Sequence, residues 1–154
     1  MRASLDEQSI IAANTQFWEQ MLGMKFEPIA LCGDFRVGPG YAAGAVNLFG
    51  AWKGRIEVCM EEGLACHATA AMLMQAPETV TEADTLDAAK EIANMIAGLI
   101  KSSLPRPCTM AVPEASVAIA DFGKWRRSHD SIVVAFQHAR GSLMVGVWEQ
   151  QCMD

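Results

Sequence analysis

The chain has 154 residues, enough for one domain with a sizeable core. Hydrophobic residues make up 51% and charged residues 19%, a balance that excludes a disordered polymer. The formal charge of −6 argues against general nucleic-acid binding, which depends on neutralising phosphates.

The opening Met1-Arg2-Ala3-Ser4-Leu5-Asp6 lacks the apolar core of a signal peptide. No uninterrupted apolar run approaches the roughly 18 residues that span a bilayer. A cytoplasmic location with no membrane partner is therefore expected. Residues 5–22 predict a helix, with Ile10, Phe17 and Met21 on one side and Ile11, Trp18 and Leu22 adjacent. Strands are predicted near 26–36, 42–49 and 54–60, the first two separated by the turn Gly38-Pro39-Gly40. In the third, Ile56, Val58 and Met60 alternate with Arg55, Glu57 and Cys59. An alanine-rich helix runs from about Glu62 to Met74. A loop through Pro77 leads to Asp84 or Thr85 as the N-cap of a further helix, which Pro105 and Pro107 end. Strands near 108–121, 131–138 and 142–149 complete the chain. The order α-β3-α2-β3, with no dividing linker, predicts a single α+β domain over 1–154. Its helices cover a sheet of about six strands.

Five cysteines stand at 32, 59, 66, 108 and 152; the count is odd and no two share a CxxC spacing. That argues against a disulfide framework or zinc knuckle and for buried thiols. Ten methionines lie mostly within apolar runs and read as core filling. The histidines, 67, 129 and 138, show no metal-ligand spacing, so no metal site is expected. Cys66 and His67 are neighbours on a helix and point roughly 100° apart, which favours structural roles. Lys124-Trp125-Arg126-Arg127 is the only basic cluster. On an acidic chain it reads as a solvated loop in preference to a base-stacking platform.

The helix over 87–101 is the most informative segment. At roughly 100° per residue, Asp87, Glu91, Asn94, Gly98 and Lys101 fall within an arc of about 80°. Lys90 and Ser102 flank that arc. Leu86, Ile92, Met95, Ile96, Leu99, Ile100 and the alanines face away. Asn is a poor residue inside a helix, and Gly costs up to about 1 kcal/mol against Ala. Both residues on one narrow polar ridge suggest a surface built to meet something. Spacing alone names no reaction, since any amphipathic surface helix carries a polar face.

The run Asp87-x3-Glu91-x2-Asn94, followed by Gly98 and Lys101, resembles the signature helix of the CheC/CheX/FliY phosphatases of bacterial chemotaxis. Glu91-Ile-Ala-Asn94-Met-Ile-Ala-Gly98-Leu-Ile-Lys101 is most similar to the CheX branch, as is the N-terminal helix ending in Met21-Leu22-Gly23-Met24. The CheC branch carries two copies of the signature helix; here neither of the first two helices contains Glu-x2-Asn, so one site per chain is expected. Two departures stand out. Leu99 occupies a position where CheX sequences often carry Asn, and Val112-Pro113-Glu114-Ala115-Ser116 lacks a glycine soon after the proline.

The resemblance implies the CheC-like fold and a homodimer joined through sheet edges. It also implies hydrolysis of the aspartyl phosphate on a CheY-type response regulator. In that reading the receiver holds the magnesium ion and a lysine, and this chain binds no cofactor. Asn94 orients the attacking water, and Glu91 meets the receiver's lysine. Asp87 orients or caps the ridge. Gly98 either admits the receiver's loops or packs within this chain. Lys101 is either a solvated residue or a receiver contact. The alternative is a non-catalytic module that docks a receiver or a flagellar switch component.

Overall fold

A computed structural model describes residues 5–29, 41–117 and 131–150. Asp6 caps the first helix, α1 (Glu7–Thr15), its carboxylate accepting from the Ser9 backbone N–H at 2.8 Å and from the Ser9 hydroxyl at 3.0 Å. The helix continues as a wider π-helical turn through Met21. Asn14 is buried there with its amide satisfied: it donates to the Ile10 carbonyl at 2.9 Å and accepts from the Trp18 indole at 3.2 Å. Then come β1 (Glu27–Ile29), β2 (Tyr41–Gly50), β3 (Gly54–Glu61) and α2 (Glu62–Leu73). A short 3-10 turn at Pro77–Thr79 leads into α3 (Glu82–Lys101). The chain closes with β4 (Cys108–Met110), β5 (Glu114–Ser116), β6 (Ser131–His138) and β7 (Gly141–Glu149).

The strands form one antiparallel sheet in the order β1-β6-β7-β3-β2-β4, and β5 also pairs with β2. Among the described residues seven strands replace the expected six, because the segment predicted over 108–121 is two short strands as far as residue 117; positions 118–121 lie outside the described residues. Both lie on the same edge of β2: Leu48 pairs with Met110, and Ala43 with Ser116. Pro113, which has no N–H to give a ladder, stands between them. Within the gap the Ala111 N–H still donates to the Asn47 carbonyl at 2.8 Å. The predicted strand over 26–36 is seen at Glu27–Ile29; its remainder, the Gly38-Pro39-Gly40 turn and the basic cluster at 124–127 lie outside the described residues.

Period-two alternation sorts the sheet into two faces. Val46 and Leu48 of β2, Ile56, Val58 and Met60 of β3, Val134 and Phe136 of β6, and Leu143, Val145 and Val147 of β7 join the main core with the helices. Ala43, Cys59 and Met144 form a smaller cluster on the other face, flanked by Tyr41, Val133 and Trp148. Burial raises the Cys59 thiol well above its ordinary range, which keeps it protonated and inert. On that same face Arg55 ties three strands together. Its guanidinium meets the buried Glu57 carboxylate at 3.3 Å, Glu114 at 3.6 Å and the Asn47 amide oxygen at 3.0 Å.

Candidate functional site: the polar ridge of α3

The start of α3 is set by Thr81, not by Asp84 or Thr85. The Thr81 hydroxyl accepts from the Asp84 N–H at 3.1 Å, and the Asp84 carboxylate accepts from the Thr81 N–H at 3.0 Å. This is a capping box, and Asp84 is its N3 partner. Those hydrogen bonds to Thr81 hold the Asp84 carboxyl below its ordinary range. The helix therefore begins several residues before the 87–101 segment, and it leaves helical pairing at Ser102, ahead of Pro105.

One face of α3 is core. Ala88, Ala89, Ile92, Ala93, Ile96, Ala97 and Ile100 are buried. Burying each isoleucine contributes roughly 1.5–3 kcal/mol, so this face anchors the helix firmly. Small residues let it lie close to β2. A Cβ built on Gly44 would collide with the Ala89 carbonyl and would stand 2.9 Å from the Ala93 Cβ. Only glycine fits at 44, and the absence of a side chain there sets the height of α3 above the sheet.

The opposite face is the ridge. Asp87, Glu91 and Gly98 are exposed; Asn94 and Lys101 are half-buried. The five predicted residues do share one side of one helix, with Glu91 and Asn94 about one turn apart. Asn94 shares its half-buried state with Lys90 and Met95. Among the described residues, neither Glu91 nor Asn94 makes a side-chain hydrogen bond or ion pair within the chain. Behind them the buried face of the same helix packs into the core.

Among the described residues a Cβ built at Gly98 meets no atom within 4 Å, so none of them packs closely on that position. Leu99 packs partly buried against the core. Beyond Gly98 lies a shallow depression lined by Gly98, Lys101, Ser102, Arg106, Pro107 and Cys108. Arg106 had no motif to reveal it in sequence; the loop after α3 brings it back beside the ridge. Gly44 was equally silent, because its constraint comes from a helix forty-odd residues away.

Other constellations stay outside the ridge. The Cys66 thiol donates to the Pro77 carbonyl at 3.4 Å, which ties α2 to the turn before α3. His67 of α2 and His138 of β6 come together, with ring centroids 6.4 Å apart. Burial, then the nearby His67 and Arg140, lowers the His138 pKa. Its Nδ1 accepts the Arg140 N–H at 3.0 Å. Among the described residues no three or more His, Cys, Asp or Glu side chains are grouped to hold a metal ion, and no helix is long and apolar enough to cross a membrane.

This chain, with its helices packed on a seven-stranded antiparallel sheet among the described residues, has the CheC-like fold. It superposes on a CheC-like superfamily protein from Shewanella with a TM-score of 0.74 at 20% identity, over 94% of this chain and 96% of that one. It is similar to a chemotaxis protein CheX from Vibrio vulnificus (TM-score 0.75, 21% identity, 94% and 95% covered). It is similar also to the structure of a CheX–CheY–BeF3–Mg2+ complex from Borrelia burgdorferi (0.68, 16%, 94% and 97%). No curated protein matches the sequence. The sequence model of the family described as chemotaxis phosphatase CheX matches residues 42–137, which include the whole of α3. The chain belongs to that family.

Proposed function

We propose that this protein is a phosphatase of a CheY-type response regulator in chemotaxis signalling, acting on the aspartyl phosphate of the receiver domain in the cytoplasm. The observation that carries the reading is the pair Glu91 and Asn94: one helix face, one turn apart, unengaged within the chain among the described residues, on a helix locked from behind. The Borrelia relative lends support, since it is a CheX bound to CheY with beryllofluoride, a phosphoryl mimic, and magnesium.

Hydrolysis of an acyl phosphate joins a water oxygen to phosphorus and breaks the bond to the aspartyl oxygen. The receiver regains its carboxylate, and the water's protons leave with inorganic phosphate and solvent. The transition state is loose, so positioning and charge stabilisation do most of the work. The Asn94 amide oxygen accepts from the attacking water while its NH2 donates elsewhere. Being neutral, it does not repel the phosphoryl group. Glu91 orients the receiver's lysine and sets the docking register, and Asp87 supports the acidic end of the ridge. Magnesium belongs to the receiver. Two protomers associating through sheet edges would carry one ridge each.

The test follows a phosphorylated receiver with magnesium present and varies only this protein. Asn94→Ala should slow accelerated dephosphorylation on the order of 10²-fold or more, the loss seen when a positioning group is removed. Parent-like turnover by Asn94→Ala would end the water-positioning role. No acceleration by the parent with any receiver would leave the binding module that docks a receiver or switch component.

A further inference from the structure

The ridge is not evenly charged. Its N-terminal half carries Asp84, Asp87 and Glu91 against the single flanking cation Lys90, whereas Lys101 stands at its end and Arg106 just beyond. Lys101 and Arg106 both line the depression beside Gly98, and no carboxylate is among the described residues that line it. Among the described residues neither cation is in an ion pair; the pairs found there belong to Arg55. A helix C-terminus favours a cation, which accounts for Lys101. It does not account for Arg106, which follows five residues after the last helical residue and is exposed. On a chain of net charge −6, two unpaired cations around an open, side-chain-free position form a local reversal of sign.

We propose that Lys101 and Arg106 form a cationic cradle that fixes which way the receiver lies along α3, with an acidic loop of the receiver seated in the depression at Gly98. The proposal rests on the phosphatase reading. A receiver that holds magnesium needs oxygen ligands, chiefly carboxylates, around its phosphorylation site. Its rim is therefore acidic on one side, with the lysine on another. The productive direction puts that lysine over Glu91 and the acidic rim over Lys101 and Arg106. The reversed direction sets lysine against lysine and carboxylates against Asp87 and Glu91. At about 1.5 Å of rise per residue, Lys101 lies roughly 10 Å beyond Asn94. That is too far to touch the reacting phosphoryl group but near one Debye length, about 8–10 Å in ordinary buffers. The cradle thus acts on encounter and register, and Arg106 is a positioning residue, not a catalytic one.

The experiment measures KM and kcat for a phosphorylated receiver with Lys101→Glu, Arg106→Glu and the double variant. Lys25→Glu, an equal change of charge beside β1 at the far edge of the sheet, serves as the control. The double variant should raise KM about tenfold or more, with kcat within roughly a factor of two, as expected for charges that govern association. The parent's KM should climb with added salt, and the double variant's should not. The neutral Lys101→Gln and Arg106→Gln variants should fall between. An unchanged KM in Arg106→Glu while the parent is active overturns the cradle and leaves the phosphatase reading standing. So does an equal rise in Lys25→Glu, or a loss confined to kcat. A parent with no activity on any receiver overturns both.

Discussion

Replacing Gly98 by alanine should make the protein more stable, and replacing it by glutamine should make it less active. The position is exposed and helical, and among the described residues none lies within 4 Å of an added Cβ. Alanine there introduces no clash and removes the excess freedom of glycine in the unfolded chain. In a helix interior that exchange stabilises by roughly 0.5–1 kcal/mol. Position 98 lies in the last turn of α3, so the lower part of the range applies. For a chain of this length about 1 kcal/mol moves Tm by roughly 2–4 °C, which predicts a rise of about 1–3 °C. Glutamine is also a good helix former and should fold at least as well as the parent. Its side chain, however, fills the space where the receiver is expected to approach. Misplacing a reacting pair by about an ångström is enough to cost on the order of 10²-fold, so turnover should drop at least tenfold. Thermal melts and timed loss of acyl phosphate on the same preparations give both numbers. A destabilised Gly98→Ala would mean that something within the protein needs the space. A fully active Gly98→Gln would mean that the receiver does not approach there.

Three further outcomes are expected. Glu91→Ala should raise KM and lower kcat together, since it removes the proposed partner of the receiver's lysine; steady-state kinetics showing either one alone would separate docking from turnover. Gly44→Ala should destabilise by about 1–3 kcal/mol, the usual cost of overpacking, and should also lower kcat although residue 44 touches no substrate; denaturant midpoints and turnover check both effects. His138 has a lowered pKa in the folded protein, so the unfolded chain takes its proton first as pH falls. Stability from this group is present above the ordinary histidine pKa and is lost as pH falls through the lower folded value. Protonation at Nδ1 would also break the hydrogen bond from Arg140. His138→Asn should flatten that part of the stability–pH curve, read from Tm between neutral and mildly acidic buffer.

The sequence carries α3 plainly, because a twenty-residue helix with a strict apolar face leaves a strong periodic signal. Alternation in β3 and β7 is equally legible, since both are inner strands with one face in the main core. The cap of α3 is legible too, as the capping-box pattern Thr81-x-x-Asp84, but Asp84 is itself a good N-cap residue and competes for the boundary. The break between β4 and β5 follows from Pro113, a local rule that the run of strand-forming residues around it obscures. What the chain could not disclose is contact at a distance. Gly44 looks like any strand glycine until α3 is laid on it, and Arg106 looks like any loop cation until the chain turns back toward Lys101.

Gly44, one of these silent positions, bears on how the proposed site is held. A residue that only steers a water adds little binding of its own, so its value depends on how little its backbone wanders. Asn94 supplies one amide, half-buried at the foot of the ridge, and its helix is fixed from three sides. Thr81 and Asp84 close its first turn, the three isoleucines anchor its inner face, and the bare Cα of Gly44 lets Ala89 and Ala93 sit directly on the sheet. A longer side chain at 44 would lift the middle of α3, which is where Glu91 and Asn94 stand. The glycine in the strand and the glycine in the helix therefore answer opposite demands. Gly44 removes a side chain so that this protein can close on itself, and Gly98 leaves one out where no described residue comes within 4 Å.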